Sequence, residues 1–542
     1  MNKKGQNRRD FIKTGAAGLA TIALFCNTRG EMTYFVEGDP YPELIEVTIP
    51  QLQTKLRSGQ LTARQLTEMY LERIRQVDTK TRSVIEINPD ALAIADQLDK
   101  ERKKGKVRSM LHGIPILVKD NIDTADRMHT TAGSLAMIDA PPPKRDAFVV
   151  ERLRKAGAVI LGKTNLSEWA NFRGNRSISG WSGRGGQTNN PYFLDQNPCG
   201  SSSGSGVSVS ANLAAGAVGT ETNGSIICPA NTNGVVGIKP TLGLISRSGI
   251  IPIAHTQDTA GPMTRTVADG AIMLGAMAGR DKQDLITSDA EKKGAKDYTE
   301  FLDPDGFKGA RLGLVMQFVQ GRTAEQTKAY YQPFINKMRN AGATLVDVTF
   351  TPDYSKISTE RLDVLKYEFK ANLNKYLAAR GGKYKTLEDL IKFNDENKDK
   401  ELPLFGQELF VDSQKKGDLI DKAYTDALAK VKTAAREEGI DAVLGKYKLD
   451  ALVGPTSGAT WAIAATAGYP YITVPLGLRE IPLPLPAAGG ASPGMTMQAT
   501  GMAFFGTAWS EPTLIKYAYA FEQKTRGRVA PQFLPTFPRK QP

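Results

Sequence analysis

His112-Gly113-Ile114-Pro115-Ile116-Leu117-Val118-Lys119-Asp120-Asn121 is an apolar run of strand length that ends on a lysine and an aspartate. Five consecutive apolar residues closed by charge read as a buried strand over Ile114–Val118. A second such run covers Ala158–Leu161, and the amphipathic stretch Phe148–Ala156 between them reads as a helix. Strand, helix and strand in succession predict an α/β sheet. Upstream, residues 41–100 read as helical: Thr62 and Gln65 form a capping box ahead of Leu66, Met69, Ile74 and Val77, and Asn88-Pro89-Asp90 opens a second helix through Leu98. Downstream, Val207–Ala217 is a small-residue run that fits a closely packed buried helix. Strand and helix then resume with Ala310–Met316, Gln326–Asn340 and Thr344–Val348. Residues 355–448 read as a variable helical segment, Asp450–Val453 and Tyr471–Val474 as buried strands, and Glu511–Thr525 as a closing helix. No repeat or linker divides the chain, which predicts one large domain over 31–542.

With 542 residues, 41% hydrophobic and 23% charged, the chain can bury a large core. Of its net charge of +13, six basic residues against Asp10 alone fall in the first 30, leaving about +8 for the rest. Acids interleave with the lysines of 355–448, so this is a solvated face and nucleic-acid binding is not expected. Asn7-Arg8-Arg9-Asp10-Phe11-Ile12-Lys13, followed by the apolar run Gly15–Phe25, resembles a twin-arginine export signal over 1–30. The run is too short to span a bilayer, so the expectation is a periplasmic protein without stable membrane insertion. Phe25 before Cys26 argues against a lipid anchor. Cys199 and Cys228 remain in the mature chain; two cysteines make no disulfide scaffold, and free thiols are expected in preference to the one disulfide the pair could form. His112, His129 and His255 are isolated in sequence, so neither a metal nor another cofactor is expected. Oligomeric state is not set by the sequence.

Three segments carry chemistry. Lys119 at a strand end is either a surface cap or a lysine drawn out of water, and desolvation would lower its pKa from about 10.4. Cys199-Gly200-Ser201-Ser202-Ser203-Gly204-Ser205-Gly206 is either a flexible Ser/Gly loop or a ligand-facing turn. Its Gly200–Gly204 portion also fits G-x-S-x-G with Ser202 as nucleophile, although the preceding Phe193–Pro198 makes a poor strand and only His255 follows as a base. Gly219-Thr220-Glu221-Thr222-Asn223-Gly224-Ser225-Ile226-Ile227-Cys228-Pro229-Ala230 is a turn or a site whose small residues aim successive N–H groups at one point, as a developing oxyanion requires.

Together the three resemble the amidase signature family. Gly113–Asp120 matches its GIP-x-x-x-KD strand, Gly200–Gly204 its serine-glycine loop, and Gly224–Ala230 with Gly237-Ile238-Lys239-Pro240-Thr241 its GSI-x-x-PA segment. The 24-residue separation of Ser201 and Ser225 matches as well, and the likeness runs from the Thr62 helix to Gly468–Pro475 and Phe521-Glu522-Gln523. The resemblance implies a single domain with a mixed sheet covered by helices, and hydrolysis of a carboxamide without a cofactor. It implies Ser225 as nucleophile, Ser201 as proton relay and Lys119 as base. It further implies backbone amides of Thr222, Asn223, Gly224 and Ser225 as oxyanion hole, and a cis peptide before Ser201. Ile227 stands where the family has arginine, and Asn223-Gly224 where it has Gly-Gly. The wording of Trp181–Gln187 and Pro198–Gly206 looks most like the peptide amidases, implying a C-terminal peptide amide as substrate, with aryl or aliphatic amides and esters as the alternative. A non-catalytic binding protein on the same scaffold is argued against by the intact Lys119, Ser201 and Ser225. The family's tRNA-dependent transamidases are argued against by the export signal.

Overall fold

Capping sets the first helices. In α1 (Ala63–Thr81) the Thr62 N–H donates to Gln65 Oε1 at 2.9 Å and the Gln65 N–H returns to Thr62 Oγ1 at 3.1 Å. Asp99 of α2 (Ala91–Lys103) accepts the next two N–H groups, of Ala63 and Arg64, so one carboxylate ties the two helices together. Leu66, Tyr70, Ile74 and Val77 line the buried face of α1. The computed structural model describes residues 22–26, 32–36, 40–319, 322–349, 354–482 and 495–536. The arginine pair at 8 and 9 lies outside these residues.

The centre is an eleven-stranded mixed sheet. Its strands are β1 (Val84–Ile87), β2 (Pro115–Lys119), β3 (Val159–Thr164), β4 (Gly216–Glu221), β5 (Val236–Lys239), β6 (Thr259–Thr264), β7 (Arg311–Leu314), β8 (Thr344–Asp347), β9 (Ala451–Pro455), β10 (Tyr471–Pro482) and β11 (Met495–Phe505). They lie in the order β8-β7-β9-β11-β10-β5-β6-β4-β2-β3-β1. The β4-β2-β3 unit is parallel, as is β8-β7-β9, and the remaining pairs are antiparallel. Helices on both faces bury β2, β3 and β4 completely, which is why these strands read as unbroken apolar or small runs without alternation.

Several boundaries differ from the sequence reading. The helical stretch 41–100 contains the edge strand β1. The expected helix over Val207–Ala217 is instead α3 (Ser203–Ser210) followed by β4. Asn212, in the left-handed region at φ 57°, breaks the run, and its side chain is held by Glu46. All of α3 is buried. Gly204 permits this, since a Cβ there would collide with the Ser83 and Asn165 carbonyls. Strands β4, β5, β6 and β11 were not anticipated.

The segment 355–448 is helical, as expected, and forms a cap. Its long helix α4 (Ser358–Arg380) docks through Phe369, Leu373 and Leu377 onto Trp169, Phe172 and Ile253 of the core loops. Polar ties fix its position: Glu368 accepts from the Thr256 N–H at 3.0 Å and the Tyr424 hydroxyl at 2.8 Å, and the Tyr376 hydroxyl donates to Asp123 at 2.8 Å. A buried charge cluster adds a second anchor. Arg173 pairs with Glu168 at 2.6 Å beneath the cap residue Glu401, whose carboxylate accepts the Leu135 N–H at 2.7 Å. Among the described residues no helix is long and apolar enough to cross a membrane.

Candidate active site

The parallel pairing of β2 with β4 brings the carboxyl end of one beside that of the other, aligning Val118 with Val218. Lys119 ends β2 and Thr220 lies near the end of β4. The lysine is wholly inaccessible to solvent, at 0% exposure. Its Nζ lies 2.8 Å from Ser201 Oγ, 2.8 Å from Thr220 Oγ1 and 3.4 Å from the Thr220 carbonyl. Among the described residues no carboxylate forms an ion pair with it. Burial therefore prevails, and the Lys119 pKa is pushed down to about 7, with the more distant Asp258 and Glu221 opposing the shift. The strand-end lysine is thus a desolvated one rather than a surface cap.

Ser201 is reached through a cis Gly200–Ser201 peptide. Position 200 has no room for a side chain, because a Cβ would collide with Ser167 Oγ. The Ser201 carbonyl accepts the Ser167 N–H at 3.1 Å. Ser202 opens α3, and its hydroxyl is held by both backbone groups of Thr220, donating to the carbonyl at 3.0 Å and accepting from the N–H at 3.1 Å. Fully buried and committed at both ends, Ser202 lacks the exposed hydroxyl that an elbow nucleophile presents.

Ser225 lies in the turn between β4 and the short helix Ile227–Thr232, and is 8% exposed. Its carbonyl accepts the Ser202 N–H at 3.0 Å, which sets its backbone against the Ser201–Ser202 segment. The structure joins Lys119 and Ser201 by a direct side-chain contact, whereas it joins Ser225 to them through the backbone. Gly224, at φ 84°, makes the turn, and a Cβ there would run into the Trp461 indole. Glu221 Oε2 accepts the N–H groups of Ile226 and Ile227 at 2.8 and 3.0 Å, drawing them away from the turn's interior. The N–H groups of Asn223, Gly224 and Ser225 donate to no acceptor among the described residues and so stay available to a ligand. The Thr222 hydroxyl donates to Asp258 at 2.6 Å.

A cavity of about 290 Å³ opens against Thr220, the neighbour of Lys119, although Lys119, Ser201 and Ser225 are not among its lining residues. Asn121, Thr220 and Thr222 bound it on the sheet side, and Asn372, Lys375 and Tyr376 of α4 on the cap side. His255 lies on its wall against Asn372, with ring and amide nitrogens 3.0 Å apart. The sequence reading did not single out Thr220, Glu221 or Asp258. The first two stood in view as polar residues ending an otherwise small, buried strand; Asp258 enters only through tertiary folding.

One expectation is overturned: Cys199 and Cys228 are not free thiols but form a disulfide, with Cα atoms 5.9 Å apart. The fold brings the loop before Ser201 against the helix after Ser225, a proximity that a separation of 29 residues does not reveal. Among the described residues no cluster of three or more His, Cys, Asp or Glu side chains could hold a metal ion.

Residues 65–515 match the family model described as Amidase. The native peptide amidase of Stenotrophomonas maltophilia superposes with a TM-score of 0.83 and 47% identity, covering 91% of this chain and 99% of that one. An amidase family protein from Bacillus anthracis superposes with a TM-score of 0.80 and 37% identity, covering 90% of this chain and 93% of that one. A probable amidase of Arabidopsis thaliana is 41% identical over 90% of this chain and 92% of its own. With motifs, fold and relatives in agreement, the chain belongs to the amidase signature family and is an amidase, a hydrolase of carboxamide bonds.

Proposed function

We propose that Ser225 attacks the amide carbonyl while Ser201 passes its proton to neutral Lys119. The new Ser225 Oγ–C bond creates an oxyanion, which the free N–H groups of Asn223, Gly224 and Ser225 stabilise, with that of Thr222 beside them. Protonated Lys119 returns the proton through Ser201 to the leaving nitrogen, the C–N bond breaks, and ammonia departs from an acyl-enzyme. Water then attacks the ester over the same relay and frees the acid. The carrying observation is the 2.8 Å contact between Ser201 Oγ and a fully buried lysine whose pKa sits at about 7.

The substrate reading is a C-terminal peptide amide, supported by the 47% identity to a peptide amidase. Ammonia release from amidated peptides, fatty amides and aryl amides tests it. Turnover of aryl amides with none from any peptide amide would give the substrate to the alternative class. Fluorophosphonate labelling tests the nucleophile: it is expected to disappear in Ser225→Ala and persist in Ser202→Ala, and the opposite pattern would sink the assignment.

Export by the twin-arginine route is part of the same proposal. The Asn7–Lys13 motif supports it, and so does the Cys199–Cys228 bond, since such bonds persist mainly in oxidising compartments. Both cysteines are only half-buried, so the bond can close on a chain that has already folded. Replacing Arg8 and Arg9 by lysine should hold the protein in the cytoplasm of a bacterial host; undiminished periplasmic activity would refute the route.

A further inference from the structure

The Cys199–Cys228 bond spans the seam between the two serine-bearing segments. Cys199 stands two residues before Ser201, and Cys228 three after Ser225. Each end is tied to its own segment: the Ser203 hydroxyl donates to the Cys199 carbonyl at 2.6 Å, and the Cys228 N–H donates to the Gly224 carbonyl at 2.7 Å. A displacement of either cysteine is therefore felt at the turn beside it. Hydrogen bonds cross the same seam as well, among them the two that the Ser202 hydroxyl makes with the Thr220 backbone. The Ser202 N–H reaches the Ser225 carbonyl at 3.0 Å, and the Asn233 side-chain amide donates to the Pro198 and Pro229 carbonyls at 2.8 and 2.7 Å. Because no side-chain hydrogen bond joins Ser225 to Ser201 among the described residues, the distance between the hydroxyls is set by the backbones that this bond clamps.

We propose that the Cys199–Cys228 disulfide is a positioning element of the active site, holding the Ser201 and Ser225 segments in register so that its reduction lowers turnover without unfolding the protein. The inference rests on the reading of Ser225 as nucleophile and Ser201 as relay. Reduction by dithiothreitol delivers two electrons and two protons, converting the S–S bond to two thiols while the reagent closes to its own cyclic disulfide. Diamide reverses this, becoming the hydrazine.

The test uses the full chain in a Cys26→Ser background, with ammonia release from the best amide substrate and near-UV circular dichroism read on the same samples. Reduction is expected to lower kcat by about 10- to 100-fold, the scale of an ångström's misplacement of reacting groups, with KM within about twofold and the spectrum retained. Diamide should restore kcat. The Cys199→Ser/Cys228→Ser variant should show the low kcat and respond to neither reagent. Undiminished kcat in the reduced protein, whether or not its thermal midpoint falls, overturns the proposal, as does loss of the folded spectrum on reduction. Ser225→Ala separates the two readings: full activity in that oxidised variant would refute the nucleophile assignment itself, whereas an inactive Ser225→Ala beside a fully active reduced enzyme would refute only the role of the disulfide.

Discussion

Replacing Lys119 by methionine should abolish most turnover and yet stabilise the fold at neutral pH. In the unfolded chain the lysine titrates near its ordinary value of 10.5, and in the folded chain near 7. Between those values the unfolded chain holds a proton that the folded chain does not. The cost to stability is therefore full below pH 7, shrinks as pH rises through the interval, and vanishes above 10.5. A displacement of that size in a side chain with no solvent exposure corresponds to about 5 kcal/mol. Methionine matches the length of the stem but contacts neither Ser201 nor Thr220, and leaving those hydroxyls short of a partner returns about 1–3 kcal/mol. The variant should thus be more stable by roughly 2 kcal/mol at pH 6.5 and less stable than the parent at about pH 11, where essentially only the lost contacts remain. Denaturant unfolding at the two pH values reads the reversal directly. In the parent, kcat/KM should fall about tenfold per unit below pH 7, as the base takes up its proton. Equal destabilisation of the methionine variant at both pH values would show that Lys119 is charged in the folded state and refute the argument.

Other substitutions probe the surroundings. Asp258 is the largest charge opposing the fall in the Lys119 pKa, so Asp258→Asn should move the acid limb of the kcat/KM profile to lower pH; a limb that stays in place would detach Asp258 from the base. Glu168 is held well above the usual carboxylate range by burial and by neighbouring Glu401, so Glu168 keeps a proton that it shares in a hydrogen bond with Glu401. Glu401→Gln should then cost under about 1 kcal/mol, whereas Glu401→Ala, which strips the Leu135 N–H of its acceptor, should cost about 3 kcal/mol by denaturant unfolding. Equal costs would discount the shared proton. Gly224→Ala must hold φ near 84° and displace Trp461, and kcat should fall at least about tenfold with little change in the fold; an unaltered kcat would mean that the turn is not aimed at the reacting carbonyl.

Where burial is one-sided or complete over a long run, the sequence announced the element. Thr62 and Gln65 marked the start of α1, and Ile116–Val118 could only be an interior strand. Strand β4 was hidden because Gly216-Ala217-Val218-Gly219 is as compatible with a packed helix as with a strand, and only the left-handed break at Asn212 decides between them. Strand β1 was hidden by the helices on either side of it. At the site, Lys119, Ser201, Ser202 and the 222–225 turn were visible as residue types in unusual company. Their separation into roles came only from the family resemblance and not from the residues themselves, because it depends on which hydroxyl faces the lysine and which is spent on Thr220. The disulfide was illegible for a related reason: proximity across a seam is a property of the sheet order, not of spacing.

Among the described residues three lysines are completely buried, and their surroundings explain why one suits proton transfer. Lys239 Nζ donates to the carbonyls of Pro240 and Tyr469 at 3.0 and 2.8 Å; carbonyls only accept, so this setting favours the ammonium, and its pKa is lowered only to about 8. Lys163 Nζ donates to the Ile122 carbonyl at 2.6 Å and meets Thr130, whose own hydroxyl donates to that same carbonyl. Burial lowers its pKa as well, and nearby charges, led by Asp120 and Asp123, oppose that fall and favour the cation. Lys119 instead has two hydroxyls as its near partners at 2.8 Å, with the Thr220 carbonyl farther off at 3.4 Å. Thr220 Oγ1 already accepts from the Asn121 amide at 3.0 Å, which leaves its proton free to point at the amine, and Ser201 can do the same. Hydroxyls reverse direction where carbonyls cannot, so both protonation states of Lys119 are satisfied without rearrangement of heavy atoms. Burial makes the neutral amine accessible near pH 7, and the two hydroxyls make the change of state reversible. A proton shuttle requires both conditions, and among these three lysines only Lys119 meets them.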